Sequence, residues 1–168
     1  TKRDQALMEV LARDASVILE PELREQGRRE EIEGRLLPLM RSGGPVVVLQ
    51  PIVRLADGGR VGAEALSRFP AEWGLAPDMC FEQAHSIGIG HRLELLALER
   101  AADLLDEVGG YVAMNVSPTT LLLPQTLALL ERVEPGRVLL ELSEHDPVED
   151  YDALAYALEP LRAEGMRL

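Results

Sequence analysis

From residue 46 onward, short apolar runs alternate with amphipathic helical stretches, and this alternation narrows the possible folds more than any other feature. The run 46–55 leads into Ala56-Asp57-Gly58-Gly59 and then a second run, 60–69. Asp-Gly between two apolar runs is a strong hairpin signal, because a tight reversal needs residues that tolerate positive φ. Helical patterns over 78–87 and 91–108 then precede a strand at 111–116. A helix at 119–133, a strand at 137–143 and a helix at 150–164 follow. Gly165 closes that helix, and Met166-Arg167-Leu168 reads as the start of another strand. Strands alternating with helices predict a parallel α/β architecture, to which the hairpin adds one antiparallel strand.

Residues 1–44 follow a different pattern. Leu7, Leu11, Ala15 and Ile18 share one helical face, and Pro21 is expected to kink or restart the chain. A second helical stretch puts Ile32, Leu36 and Leu39 on one face and ends at Arg41-Ser42-Gly43-Gly44-Pro45. Two readings stay open: a pair of surface helices packed on the domain, or a connector that forms a homodimer below an upstream domain.

Charge and apolar content exclude several functions. The net charge is −12, and residues 45–168 carry 9 basic against 20 acidic side chains, a net of −11. Such a surface does not bind duplex nucleic acid by counterion release. An anionic ligand would need positive charge from elsewhere, and bound divalent metals can supply it. No apolar run approaches the ~20 residues of a membrane span, since 121–130 is interrupted by Pro124 and Gln125. The N-terminus lacks the apolar block of a signal peptide. Cys80 is the only cysteine, which rules out an internal disulfide. These features read as cytoplasmic. With 4% aromatic residues, the core must be built from aliphatic side chains.

Three predicted strands each carry an oxygen-bearing polar residue among apolar neighbours: Glu64, Asn115 and Glu141. Burying a carboxylate is costly unless it is paired or metal-bound. In a barrel of parallel strands, polar residues near the strand C-termini gather at one mouth, where active sites sit. Two carboxylates and an amide make an all-oxygen set suited to Mg²⁺ or Mn²⁺. Each residue also has a plainer reading. Glu64 could pair with Arg68 on the same strand face, Asn115 could satisfy backbone groups at a turn, and Glu141 could lie at an exposed edge. His91 and His145 have no Cys or His partner at metal spacing and read as surface residues, and His85 reads as structural or solvent-facing.

Four ordered segments resemble the N-terminal half of an EAL domain. They are Leu49-Gln50-Pro51-Ile52-Val53, Gly62-Ala63-Glu64-Ala65-Leu66-Ser67-Arg68, Asn115-Val116-Ser117-Pro118 and Glu141-Leu142-Ser143-Glu144. A lone Glu-Ala-Leu is common by chance, whereas four segments in order are specific. The resemblance covers residues 45–168. It implies a (β/α)8 TIM-like barrel with an antiparallel first strand, about half of it present, preceded by connector helices in 1–44. Those helices resemble, more weakly, the end of a GAF sensor domain and its linker, which implies an upstream sensor as a partner.

The activity implied is metal-dependent hydrolysis of one phosphodiester bond of cyclic di-GMP to the linear dinucleotide, with two ions, Mg²⁺ or Mn²⁺. Glu64, Asn115 and Glu141 would be metal ligands. Glu64 and Glu144 would be the catalytic glutamates, Glu144 by bracing the loop over the site. Gln50, Leu66 and Arg68 would contact substrate. The family continues beyond the strand begun at Met166 into an Asp-Asp segment and later supplies a lysine, further glutamates and a glutamine. This sequence holds none of these, its only lysine being Lys2. These residues alone are therefore expected to be inactive. The alternative is a receptor that binds cyclic di-GMP without cleaving it. Family receptors are expected to lose metal ligands, and every ligand expected of this stretch is present. A third reading is a structural role, with a half-barrel held folded by a partner chain. Its open strand edge invites pairing or aggregation.

Overall fold

The computed structural model describes the backbone of residues 2–143 and 151–168, with side chains described from Leu19 onward. Two compact units divide the chain, Thr1–Pro38 and Leu39–Leu168. Glu144 and His145 lie outside the described residues.

A single helix, α1 (Lys2–Arg41), replaces the two expected on either side of Pro21. Proline removes one backbone donor, but neighbouring turns can carry the helix through it. Downstream of Pro21, side chains three and four residues apart pair along the helix surface. Arg24 meets Glu20 at 3.1 Å, Arg28 meets Glu25 at 2.6 Å and Arg29 meets Glu33 at 2.8 Å. The Arg28 guanidinium, through its hydrogen bond, holds the Glu25 carboxyl below its ordinary pKa. The helix stops where the sequence predicts. Gly44 N–H bonds back to the Leu39 carbonyl at 3.0 Å, and Gly43 and Gly44 both have positive φ. Such a reversal selects glycine.

The second unit is built on one four-stranded sheet. Its strands are β1 (Val46–Val53), β2 (Arg60–Arg68), β3 (Tyr111–Val116) and β4 (Val138–Leu142), in spatial order β1-β2-β3-β4. β1 pairs antiparallel with β2, while β2–β3 and β3–β4 are parallel. The hairpin is shorter than the apolar pattern indicates, because Leu55 lies fully exposed in the turn. There Asp57 accepts from the Gly59 N–H at 2.9 Å and from Arg54 at 2.6 Å. Leu140 N–H bonds to the Arg167 carbonyl and Arg167 N–H to the Val138 carbonyl. Residues 166–168 thus begin a further parallel pairing beside β4, by a single bridge at Leu139.

Helices fill the connections: α2 (Pro77–Ser86), α3 (Gly90–Asp103), α4 (Pro118–Leu121), α5 (Pro124–Leu130) and α6 (Tyr151–Ala163). The helix expected over 119–133 is two short ones. Pro118 and Pro124 each sit at a helix start, where the missing N–H costs nothing, and Pro124 forces the chain before it to be extended. One face of the sheet packs against these helices. Ala63, Val112, Met114, Val116, Val138 and Leu140 join Leu98, Leu121, Leu130, Leu154 and Leu158 in an aliphatic core. This is the start of a (β/α)8 barrel: strands side by side, helices on one face, the other face facing the would-be lumen.

Arg137 closes the end of the sheet opposite the strand C-termini. Its guanidinium donates to the carbonyls of Gly110 at 3.1 Å, Leu105 at 2.5 Å and Val108. These carbonyls lie where the chain passes from α3 into β3, and the Leu105 carbonyl also accepts from the Val108 N–H at 3.2 Å. Arg137→Ala should lower stability by about 2 kcal/mol, the scale of a hydrogen bond to a charged donor in a half-buried setting. Arg137→Lys should not restore it, because an ammonium cannot fork across three acceptors. Thermal unfolding of the two variants beside the parent checks this.

Candidate active site

The strand register decides which side chains meet. Gln50 is the cross-strand partner of Glu64, and Glu64 is the partner of Ala113. Asn115 lies two residues beyond Ala113 and is the partner of Glu141. Partners share a face and so do residues two apart, so Gln50, Glu64, Asn115 and Glu141 all project from one face. That face is the one turned away from the aliphatic core. Leu66 and Arg68 follow Glu64 on it at the same spacing. The alternation that buries Ala63 and Met114 thus also collects the polar candidates.

Gly62 permits this register. A Cβ there would collide with the carbonyl of Tyr111 on β3, so β2 can approach β3 closely only with glycine two residues before Glu64 of the Glu-Ala-Leu segment. Tyr111 is in turn covered by the Arg167 guanidinium, 4.0 Å above its ring.

Asn115 Nδ2 donates to Glu64 Oε1 at 3.4 Å, which brings the two strands' oxygen-bearing side chains to one point. Turned end for end, the same amide presents Oδ1 in place of Nδ2. Glu64 is half-buried, whereas Asn115 and Glu141 are exposed on the open face. Among the described residues Glu64 and Arg68 form no ion pair. Arg68 instead donates to the Ser67 carbonyl at 2.9 Å. Two carboxylates and a reorientable amide on adjacent parallel strands fit a hard divalent cation, although among the described residues no three His, Cys, Asp or Glu side chains cluster tightly enough to hold one by themselves.

A cavity of about 790 Å³ lies at the C-terminal ends of β2 and β3, against α2 and α3. Leu66, Arg68 and Asn115 line it, while Gln50, Glu64 and Glu141 are not among its lining residues. Among the described residues Arg68 is the only arginine or lysine lining it, against Asp78, Glu82 and Glu94. This charge balance favours a bound anion only at Arg68, unless metals add to it.

One lining residue, Glu94, escaped the sequence pattern. Glu94, only 8% exposed, reaches His85 Nε2 with Oε1 at 2.5 Å, and its Oε2 accepts the Ser117 backbone N–H at 2.9 Å. His85 is therefore structural, in keeping with one of the two readings given to it; His91 is exposed. The signal for Glu94 was a lone charge among Leu93, Leu95 and Leu96 on an otherwise apolar helix stretch.

An open parallel sheet led by an antiparallel strand, with acidic and amide side chains at its C-terminal mouth, defines the first half of a barrel with a polar site at one end. The chain belongs to the EAL domain family, which matches residues 33–168. It is 33% identical over 135 residues to an uncharacterised protein of Mycobacterium tuberculosis, across 71% of this chain and 44% of that protein. It is 32% identical over 110 residues to the probable cyclic di-GMP phosphodiesterase PdeB of Escherichia coli, across 58% of this chain and 21% of that protein. The chain thus spans less than half the length of these relatives. Among solved structures it resembles Klebsiella pneumoniae BlrP1 in its calcium and cyclic di-GMP complex. The TM-score there is 0.58 at 27% identity, over 71% of this chain and 32% of that one. Among the described residues no helix is long and apolar enough to cross a membrane.

Proposed function

We propose that the chain forms part of a metal-dependent phosphodiesterase that opens one phosphodiester bond of cyclic di-GMP to give the linear dinucleotide. The observation that carries this reading is the shared sheet face of Gln50, Glu64, Asn115 and Glu141, beside a cavity lined by Arg68. Support also comes from PdeB, described as a probable cyclic di-GMP phosphodiesterase, and from BlrP1, solved with cyclic di-GMP and calcium or manganese.

On this reading Glu64, Asn115 and Glu141 hold a divalent cation, Mg²⁺ or Mn²⁺. The ion would supply Lewis-acid stabilisation of the charge that builds on the phosphodiester oxygens. Arg68 grips a phosphate through its planar fork, and Gln50 and Leu66 shape the nucleotide site. Glu144 braces the loop above them. Residues 1–44 act as a connector from an upstream sensor domain, and the protein works in the cytoplasm.

Glu64→Gln keeps the side chain's shape and removes its charge. Turnover of cyclic di-GMP by the full-length protein should fall by about 10²–10³, the usual cost of one electrostatic group at a reacting centre. Wild-type turnover at saturating Mn²⁺ would remove Glu64 from the ligand set. Binding of cyclic di-GMP by the parent with no turnover would favour a receptor.

Arg68→Ala should weaken cyclic di-GMP binding about tenfold and leave Mn²⁺ affinity unchanged, as titration calorimetry of each ligand separately reads out. Loss of metal affinity instead would make Arg68 a structural partner of Glu64. The 168 residues on their own contribute three metal ligands and one lysine, Lys2, and should show no turnover with Mg²⁺ or Mn²⁺. Hydrolysis by them alone would mean that the reacting groups lie elsewhere in the chain.

A further inference from the structure

The backbone just beyond Asn115 is held from several directions. Val116 accepts at its carbonyl from the Ser143 N–H at 3.0 Å. The Ser117 hydroxyl accepts from the Thr120 N–H at 3.2 Å and meets the Thr120 hydroxyl at 2.9 Å, so it caps α4. The Ser117 carbonyl accepts from the Leu121 N–H at 2.9 Å, which leaves the Ser117 N–H. Its acceptor is Glu94 Oε2, from a different element of the fold.

A carboxylate as enclosed as Glu94 needs donors on both oxygens. Ser117 supplies one and His85 the other. With Glu94 as a carboxylate, His85 Nε2 is the donor of this pair. Room for the imidazole comes from Gly90, where a Cβ would collide with the His85 ring. Three residues at the α2–α3 junction, His85, Gly90 and Glu94, thus end in a charge-assisted bond to the chain two residues past Asn115. Such bonds are about twice as strong as neutral ones.

We infer that Glu94, held in place by His85, is a positioning residue. It fixes the exit of β3 and thereby the direction in which Asn115 presents its amide to the cavity. The metal part of this inference rests on the proposed function, whereas the backbone part does not. A group that orients a ligand typically changes metal affinity by about 10–100-fold when removed.

The test follows amide hydrogen exchange and Mn²⁺ binding in the full-length protein. In Glu94→Ala, exchange at the Ser117 N–H should speed up at least ~10-fold while Val112 and Met114, in the middle of β3, keep their protection. Mn²⁺ affinity should fall about 10–100-fold, and Glu94→Gln, which keeps one acceptor oxygen, should recover part of both effects. Should Glu94→Ala fail to fold, His85→Ala serves instead. His85 is half-exposed, and its loss should speed Ser117 exchange several-fold with the core intact. Unchanged Ser117 protection in these variants would overturn the inference, as would loss of protection across all of β3 together. If the parent binds no Mn²⁺ and Glu64→Gln changes nothing, the functional reading fails, and Ser117 exchange still decides the positioning role.

Discussion

The hydrogen-bonded register that sets Glu64 beside Ala113, and Asn115 beside Glu141, decides where every other side chain of the sheet must go. Slipping one strand by a single residue would turn its aliphatic row to the open face and drive its carboxylate or amide into the core. Burying Val112, Met114, Val138 and Leu140 therefore also aims the polar side chains. The register in turn depends on how closely β2 can approach β3, which Gly62 permits, and on the carbonyls that Arg137 gathers where α3 gives way to β3. Packing energy and site geometry are the same constraint seen from the two faces of one sheet.

Much of this could be read from local patterns. The period-2 alternation through 60–69, 111–116 and 137–143 marks which residues share a face, and Asp57-Gly58 marks the antiparallel turn. A parallel α/β sheet with one antiparallel strand follows from those patterns, whereas its reading as the N-terminal half of a barrel, with Glu64, Asn115 and Glu141 as one set, draws on the resemblance to EAL domains. The signals that misled were also local. Pro21 reads as a break, yet ion pairs along the following turns accompany a continuous helix. The stretch 119–133 reads as one helix, and Pro124 divides it. Glu94 could not be assigned from sequence, because its partners His85 and Ser117 come from other elements and meet it only once α2, α3 and β3 have packed.

The charge distribution has a related logic. A domain this acidic repels an anion in general and can admit one only where a cation is fixed. Among the residues lining the cavity that cation is Arg68, placed at the end of β2 by the same alternation that places Glu64. The acidic surface then disfavours stray polyanions, and the proposed function answers this with a ligand that uses a single guanidinium together with hard cations.

The order of strands across the sheet is the order of strands along the chain, β1 to β4. The hairpin of β1 and β2 needs only local contacts, and each later strand adds beside its predecessor after one helical crossover. No strand waits for a partner still to be made. A chain of this design can assemble from its N-terminal end as it leaves the ribosome, each new βα step sealing the edge exposed by the one before. The growing edge is then always the most recent strand, and the time for which it stays open is set by the pace of synthesis rather than by a search through the whole chain.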